Sequence, residues 1–234
     1  MKRADFIKAH KVGDWCKVSQ AARRGAIPAL KFGRLDVPDA VNNRQYCTAI
    51  EDQGSKPWCA AYTAAAFAEN VLWRKTGRII QIEPDWIYDY AKKHDGDPQG
   101  DGTTLDCVLD ALLYKGVFDK KTCKVRMVGR GWAGTDEDDV KAAIHRFGCF
   151  LGGFNITEEW YDKNKVNHVV AIPNSPYIGG HAVEICGFNQ QGVIVHNSWG
   201  VEWGLKGFAI VSWAEFDRQF IYAAVLTNAL DGLK

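Results

Sequence analysis

Three short segments carry side chains whose types and spacing could perform acyl-transfer chemistry. They are Gln53-Gly54-Ser55-Lys56-Pro57-Trp58-Cys59-Ala60-Ala61, Gly179-Gly180-His181-Ala182-Val183-Glu184-Ile185, and His196-Asn197-Ser198-Trp199-Gly200-Val201-Glu202-Trp203-Gly204. A thiol attacks a carbonyl as the thiolate, so a cysteine nucleophile needs its pKa lowered from about 8.5. Cys59 opens an alanine-rich segment with helical character, and the positive end of a helix dipole favours the anion there. His181 can take the thiol proton and return it to a leaving amine. Asn197 can hold the imidazole by its other ring nitrogen. Gln53 stands six positions before Cys59. Its amide and the Cys59 N–H can serve as oxyanion donors, each such donor stabilising a transition state by about 3–4 kcal/mol. Trp199 and Trp203 can cover the His181–Asn197 contact and keep it dry. Singly, each segment is ordinary: a cysteine is commonly a small buried hydrophobe, and Asn-Ser commonly a turn. It is their joint order, with His181 122 and Asn197 138 residues after Cys59, that argues for a site.

The elements that must position these residues follow from local pattern. Cys59 to Lys75 predicts a central helix, with Pro57 before it and Gly77 beyond its end. Further helices are expected from Pro84 to Lys93, from Leu105 to Lys115 before Gly116, and from Thr135, where Asp136 to Asp139 suit a first turn, as far as Gly148. After Gly148 the pattern changes to period-two runs. Phe150 to Phe154, Ala182 to Gly187, Val193 to His196 and Phe208 to Val211 predict strands. Helices first and strands later predict an α+β chain of two unlike lobes.

The three segments resemble those of the papain-like cysteine peptidases, over roughly residues 36–225 and most closely in the Asn197 to Gly207 stretch. That resemblance implies a mainly helical lobe, a β-barrel-like lobe and an active site in the cleft between them. It implies peptide-bond hydrolysis through an acyl-enzyme, with no metal and no organic cofactor. Cys59 would be nucleophile, His181 general base and acid, Asn197 the ring-orienting residue and Gln53 an oxyanion donor. Trp199 would support the pair, and Trp203 and Gly102 would meet the substrate. Lys56 stands where the family has a disulfide cysteine, and Ala60 where it has an aromatic residue. The family's substrate-binding Gly-Gly pair has its nearest match in Gly100-Asp101-Gly102. A thiol acyltransferase or amidase and a non-catalytic binding module are the alternatives; the Asn197-Ser198-Trp199 context and the four intact roles favour the peptidase.

Composition bounds the setting. The chain has 234 residues, 47% hydrophobic and 24% charged, ordinary values for a globular protein. No apolar stretch approaches the roughly 18 residues that span a bilayer, and no apolar segment follows the basic start as in a secretory signal. The seven cysteines are odd in number and include no CxxC pair, so structural zinc is not predicted and a reducing, intracellular setting is favoured. Residues 1–34 hold nine Lys/Arg against Asp5 and Asp14, a net +7, and the remaining residues carry −6. This predicts a basic leader over 1–34, acting as an inhibitory prosegment on a catalytic domain over 35–234. Within that domain the helical lobe covers about 35–125 and the β-rich lobe about 126–225. The acidic body argues against nucleic acid as a partner; protein or peptide substrates are expected, and no membrane. The pattern assigns no oligomeric state. Eight carboxylates between Glu83 and Asp110 would make an acidic cleft wall favouring basic substrate side chains if Gly102 lines it. Removing residues 1–34 is expected to raise peptide hydrolysis, more at low salt than at high. Equal rates with and without them at both salt concentrations would overturn the leader's role.

Overall fold

Six alanines between Cys59 and Ala68 leave one helix thin enough for neighbours to approach from several sides. That helix, α1 (Cys59–Thr76), buries twelve of its 18 residues and is the centre of the helical lobe. It stops at Gly77, whose φ of 69° is left-handed and whose N–H donates to the Trp73 carbonyl at 2.9 Å. Against α1 pack α2 (Pro84–His94), with proline in its first turn, and α3 (Leu105–Asp110), capped by the Thr104 hydroxyl. The chain continues from α3 through a π-helical turn, Ala111–Lys115, so the expected Leu105 to Lys115 helix is present in two windings. The computed structural model describes residues 36–118, 124–132, 134–162, 168–169 and 175–231, so the expected leader lies outside the described residues.

The second lobe is built on a sheet of β1 (Val41–Asn42), β2 (Val117–Phe118), β3 (Lys124–Trp132), β4 (Phe150–Thr157), β5 (His168–Val169), β6 (Tyr177–Phe188), β7 (Gly192–His196), β8 (Phe208–Ser212) and β9 (Phe220–Asp231). Their order is β2-β3-β9-β4-β6-β7-β8-β5, with β1 also paired to β6; the β5–β8 pair is parallel and the other pairs are antiparallel. β6 is buried on both faces. Ala182 and Cys186 join the core around α1, whereas Val183 and Ile185 pack on the opposite face. That opposite face carries α4 (Glu137–Phe147), capped by Asp136, and α5 (Trp213–Gln219), capped by Ser212. The architecture is therefore α+β and two-lobed. β3, β9 and α5 extend beyond the sequence expectation: glycines and charges interrupt β3, and β9 is an apolar run without alternation.

On α1, Glu69 is a carboxylate inside the apolar packing, 4% exposed. The Ile82 N–H donates to it at 2.6 Å and the Thr48 hydroxyl donates to its other oxygen. Burial pushes its pKa from 4.5 up to about 7, with these two hydrogen bonds opposing the shift. The folded chain therefore holds this proton more tightly than the unfolded chain. The contribution is complete below about pH 4.5 and is lost as pH rises toward about 7. Glu69→Gln, which keeps the shape without the charge, is expected to remove a stability loss on the order of 3 kcal/mol between pH 4.5 and 7. Parallel urea melts of the two proteins across that window check it, and identical pH slopes would refute it.

Candidate active site

Cys59 is the first residue of α1 and is 6% exposed. Cys59 lies in the same buried core as Ala182 and Ala60. Ala182 follows His181 on β6, so the thiol's core adjoins the strand that carries the imidazole. Burial pushes the Cys59 thiol pKa up, and backbone N–H groups of Ala182, Ala60 and Cys59 itself oppose that shift. A lone thiolate here would be a poorly solvated charge. Its formation therefore depends on a cation forming beside it, which His181 can supply on taking the proton.

His181 is fully buried, and its Nε2 lies 2.7 Å from Asn197 Oδ1. The same oxygen accepts the Ser198 backbone N–H at 2.8 Å. An atom that accepts a backbone N–H is the amide oxygen, so Nε2 must carry hydrogen and donate to it. In the neutral ring this leaves Nδ1 as the basic nitrogen, the one able to accept the thiol proton. Trp199 lies against the ring at 4.4 Å and 32°, and Trp160 meets it edge-on at 6.0 Å. Tyr161 stacks on the far side of the group, 4.9 Å from Trp199. Apolar rings around the pair lower the local dielectric and strengthen its hydrogen bond.

Gln53 is held by the chain that bears Asn197. Its N–H donates to the Ser198 carbonyl at 2.9 Å, and the Gly200 N–H donates to the Glu51 carbonyl at 3.0 Å. Its side-chain Oε1 accepts the Ser198 hydroxyl at 2.8 Å, and Nε2 donates to the Lys56 carbonyl at 2.8 Å. Both ends of the amide are fixed, with the nitrogen on the side of the Lys56–Cys59 approach to α1. Gly200, at φ 76°, lets the paired loops close: a Cβ there would stand 3.0 Å from the Asp52 carboxylate.

Cys59, His181, Asn197, Gln53 and Trp199 are thus brought together; Trp203 and Gly102 are placed differently. Trp203 is 1% exposed and donates its indole N–H to the Trp160 carbonyl at 2.9 Å, so it packs behind the site rather than offering a substrate surface. Gly102 turns at φ 82° and its carbonyl accepts from Lys92 at 3.0 Å, a contact within the helical lobe. The expected acidic wall is not one exposed face. Asp106 turns inward to the Tyr222 hydroxyl at 2.9 Å, and Asp95 is buried against Lys92. Sequence reasoning missed Trp160 and Tyr161. They lie in a 3₁₀ turn, Glu158–Tyr161, after β4, where no periodic pattern marks a core residue.

The family model for papain family cysteine proteases matches residues 118–220. Cathepsin K of Gallus gallus is 27% identical over 213 residues, covering 77% of this chain and 62% of that protein. Cathepsin K of Mus musculus is 28% identical over 207 residues, covering 75% of this chain and 60% of that protein. The chain thus spans about three fifths of the length of the curated relatives it matches. Among solved structures, xylellain, a cysteine protease from Xylella fastidiosa, superposes with a TM-score of 0.76 at 17% identity, covering 94% of this chain and 96% of that one. ProCathepsin B S9 from Trypanosoma congolense superposes with a TM-score of 0.72 at 16% identity, covering 96% and 89%.

Ser198→Ala removes a buried hydrogen bond to Gln53 and is expected to destabilise the fold by about 1 kcal/mol. An unchanged urea midpoint would show that Ser198 does not hold the amide.

Proposed function

We propose that this chain, papain-like in fold and in its family likeness, is a cysteine-type endopeptidase that cleaves protein or peptide substrates. The observation that carries this reading is the buried His181–Asn197 pair, at 2.7 Å, beside a thiol at a helix N-terminus. His181 Nδ1 takes the Cys59 proton, and the sulfur adds to the scissile carbonyl carbon. The oxyanion is held by the Gln53 side-chain amide and the Cys59 N–H. Collapse expels the amine, protonated by His181, and leaves a thioester. Water, deprotonated by the same imidazole, releases the acid and restores the thiol. Asn197 keeps the ring in the one tautomer that serves both steps.

The same reading divides the chain into a catalytic body over 35–234 and a self-inhibitory leader over 1–34. Structural neighbours that include a ragweed pollen cysteine protease in its proform support a segment of that kind. No described helix is long and apolar enough to cross a membrane.

Iodoacetamide labelling mapped by mass spectrometry, together with hydrolysis of fluorogenic peptides, tests the assignment. Fast labelling confined to Cys59 is expected, slowed about 100-fold or more by His181→Ala, with peptide turnover abolished by Cys59→Ala. Turnover surviving Cys59→Ala would sink it. Transfer to added amines in preference to water would move the chain to the acyltransferases.

A further inference from the structure

Behind Asn197, on the face of β6 that meets α1, lies a second group of reactive side chains that the hydrolytic scheme does not use. Glu184 and His196 are direct partners across β6 and β7, and His196 Nδ1 lies 2.7 Å from Glu184 Oε2. They are 0% and 4% exposed. Cys47 joins them, so that one donor atom from each of Cys47, Glu184 and His196 lies within 4.8 Å of the other two. The backbone holds this convergence together: Asn43 N–H donates to the Cys186 carbonyl at 2.9 Å, and Asn43 Nδ2 donates to the Gly148 carbonyl at 2.7 Å.

An ordinary apolar core does not account for the group. Thiols alone pack well as small hydrophobes, but a buried carboxylate needs its lone pairs satisfied. Glu184 Oε1 has no hydrogen-bond partner among the described residues. Nor does an ion pair alone account for it, because His196 and Glu184 need no thiols beside them. Thiolate, imidazole and carboxylate are the donor set of tetrahedral zinc. With Zn–S near 2.3 Å and Zn–N or Zn–O near 2.0–2.2 Å, donors in such a centre stand roughly 3.3–3.8 Å apart. The group is within side-chain adjustment of that size. Asn70, fully buried on α1, directs its Nδ2–H at Cys47 Sγ from 3.5 Å, the outer hydrogen bond that a metal-bound thiolate accepts. Cys47 is only partly buried and offers the way in.

We infer that Cys47, His196 and Glu184 form a zinc site, with Asn70 supporting the Cys47 ligand. Binding releases the Cys47 thiol proton and any proton on His196; one thiolate and one carboxylate then balance the dication. The three protein donors tie the segment at Cys47 to β6 and β7 directly behind Asn197, and water completes the tetrahedron. It does not depend on the hydrolytic reading, because it shares no ligand with Cys59 or His181.

The test uses the full chain, purified under a phosphine reductant with added Zn²⁺ and freed of loose metal by gel filtration. Close to one equivalent of zinc is expected by mass spectrometry of the metal, retained in Cys59→Ala and lost in Cys47→Ser and in Glu184→Gln. X-ray absorption of the unmodified protein should show sulfur at about 2.3 Å and nitrogen or oxygen at about 2.0–2.2 Å. Substituted Co²⁺ should give a thiolate charge-transfer band. An absence of retained zinc overturns the site. So does retention unchanged by Cys47→Ser and Glu184→Gln, or loss confined to Cys59→Ala, which would place the metal on the other thiol. Should either variant fail to fold, a coordination shell without sulfur in the unmodified protein decides against it.

Discussion

The short antiparallel contact between residues 51–53 and 198–200 is the constraint on which the site depends. Through it the loop before α1 and the loop after β7 share one backbone register, with Asp52 opposite Trp199. Gln53, Asn197 and Ser198 are therefore not three independent placements but consequences of a single pairing. The side-chain bonds of Gln53 to Ser198 and Lys56 refine a position already set by main chain. Glycine at 200 is part of the same constraint, since its positive φ and its closeness to Asp52 leave little room for a side chain.

Around that contact two opposing electrostatic demands meet. The aromatic shell of Trp160, Tyr161 and Trp199 strengthens the His181–Asn197 hydrogen bond, but the same dryness makes an isolated sulfur anion costly. Helix end and backbone N–H groups reduce this cost at Cys59 without cancelling it. Charge separation between sulfur and ring resolves the conflict, because each ion then has its partner within the site. On the peptidase reading, geometry rather than a lone buried charge prepares the pair.

Much of this was legible in the residues, and what was not has physical reasons. Alanine content, Pro57 and Gly77 marked α1, because helix propensity and stop signals act locally. Cys59, His181, Asn197 and Gln53 stood out through their immediate neighbours. Trp203 shows the limit: an indole flanked by glycines reads equally well as a binding surface or as packing, and only its bond to the Trp160 carbonyl decides. Trp160 and Tyr161 carry no periodic signal because they occupy a single turn. Cys47, Glu184 and His196 belong to three separate segments. Their approach is a product of the β1–β6–β7 pairing, which residue spacing does not encode.

The alternation of β6 has a consequence for how the chain finds its fold. Glu184 sits opposite His196 while Ile185 sits opposite Val195, so neighbouring positions on one strand demand opposite environments. A slip of one residue would turn the carboxylate toward Phe150, Phe154 and Trp160 and the isoleucine toward the polar group. Such a mispaired hairpin carries an uncompensated buried charge, a penalty on the order of several kcal/mol. The acid–imidazole pair therefore works as a registration key: it favours the alignment that pairs Glu184 with His196, the one in which His181 reaches Asn197.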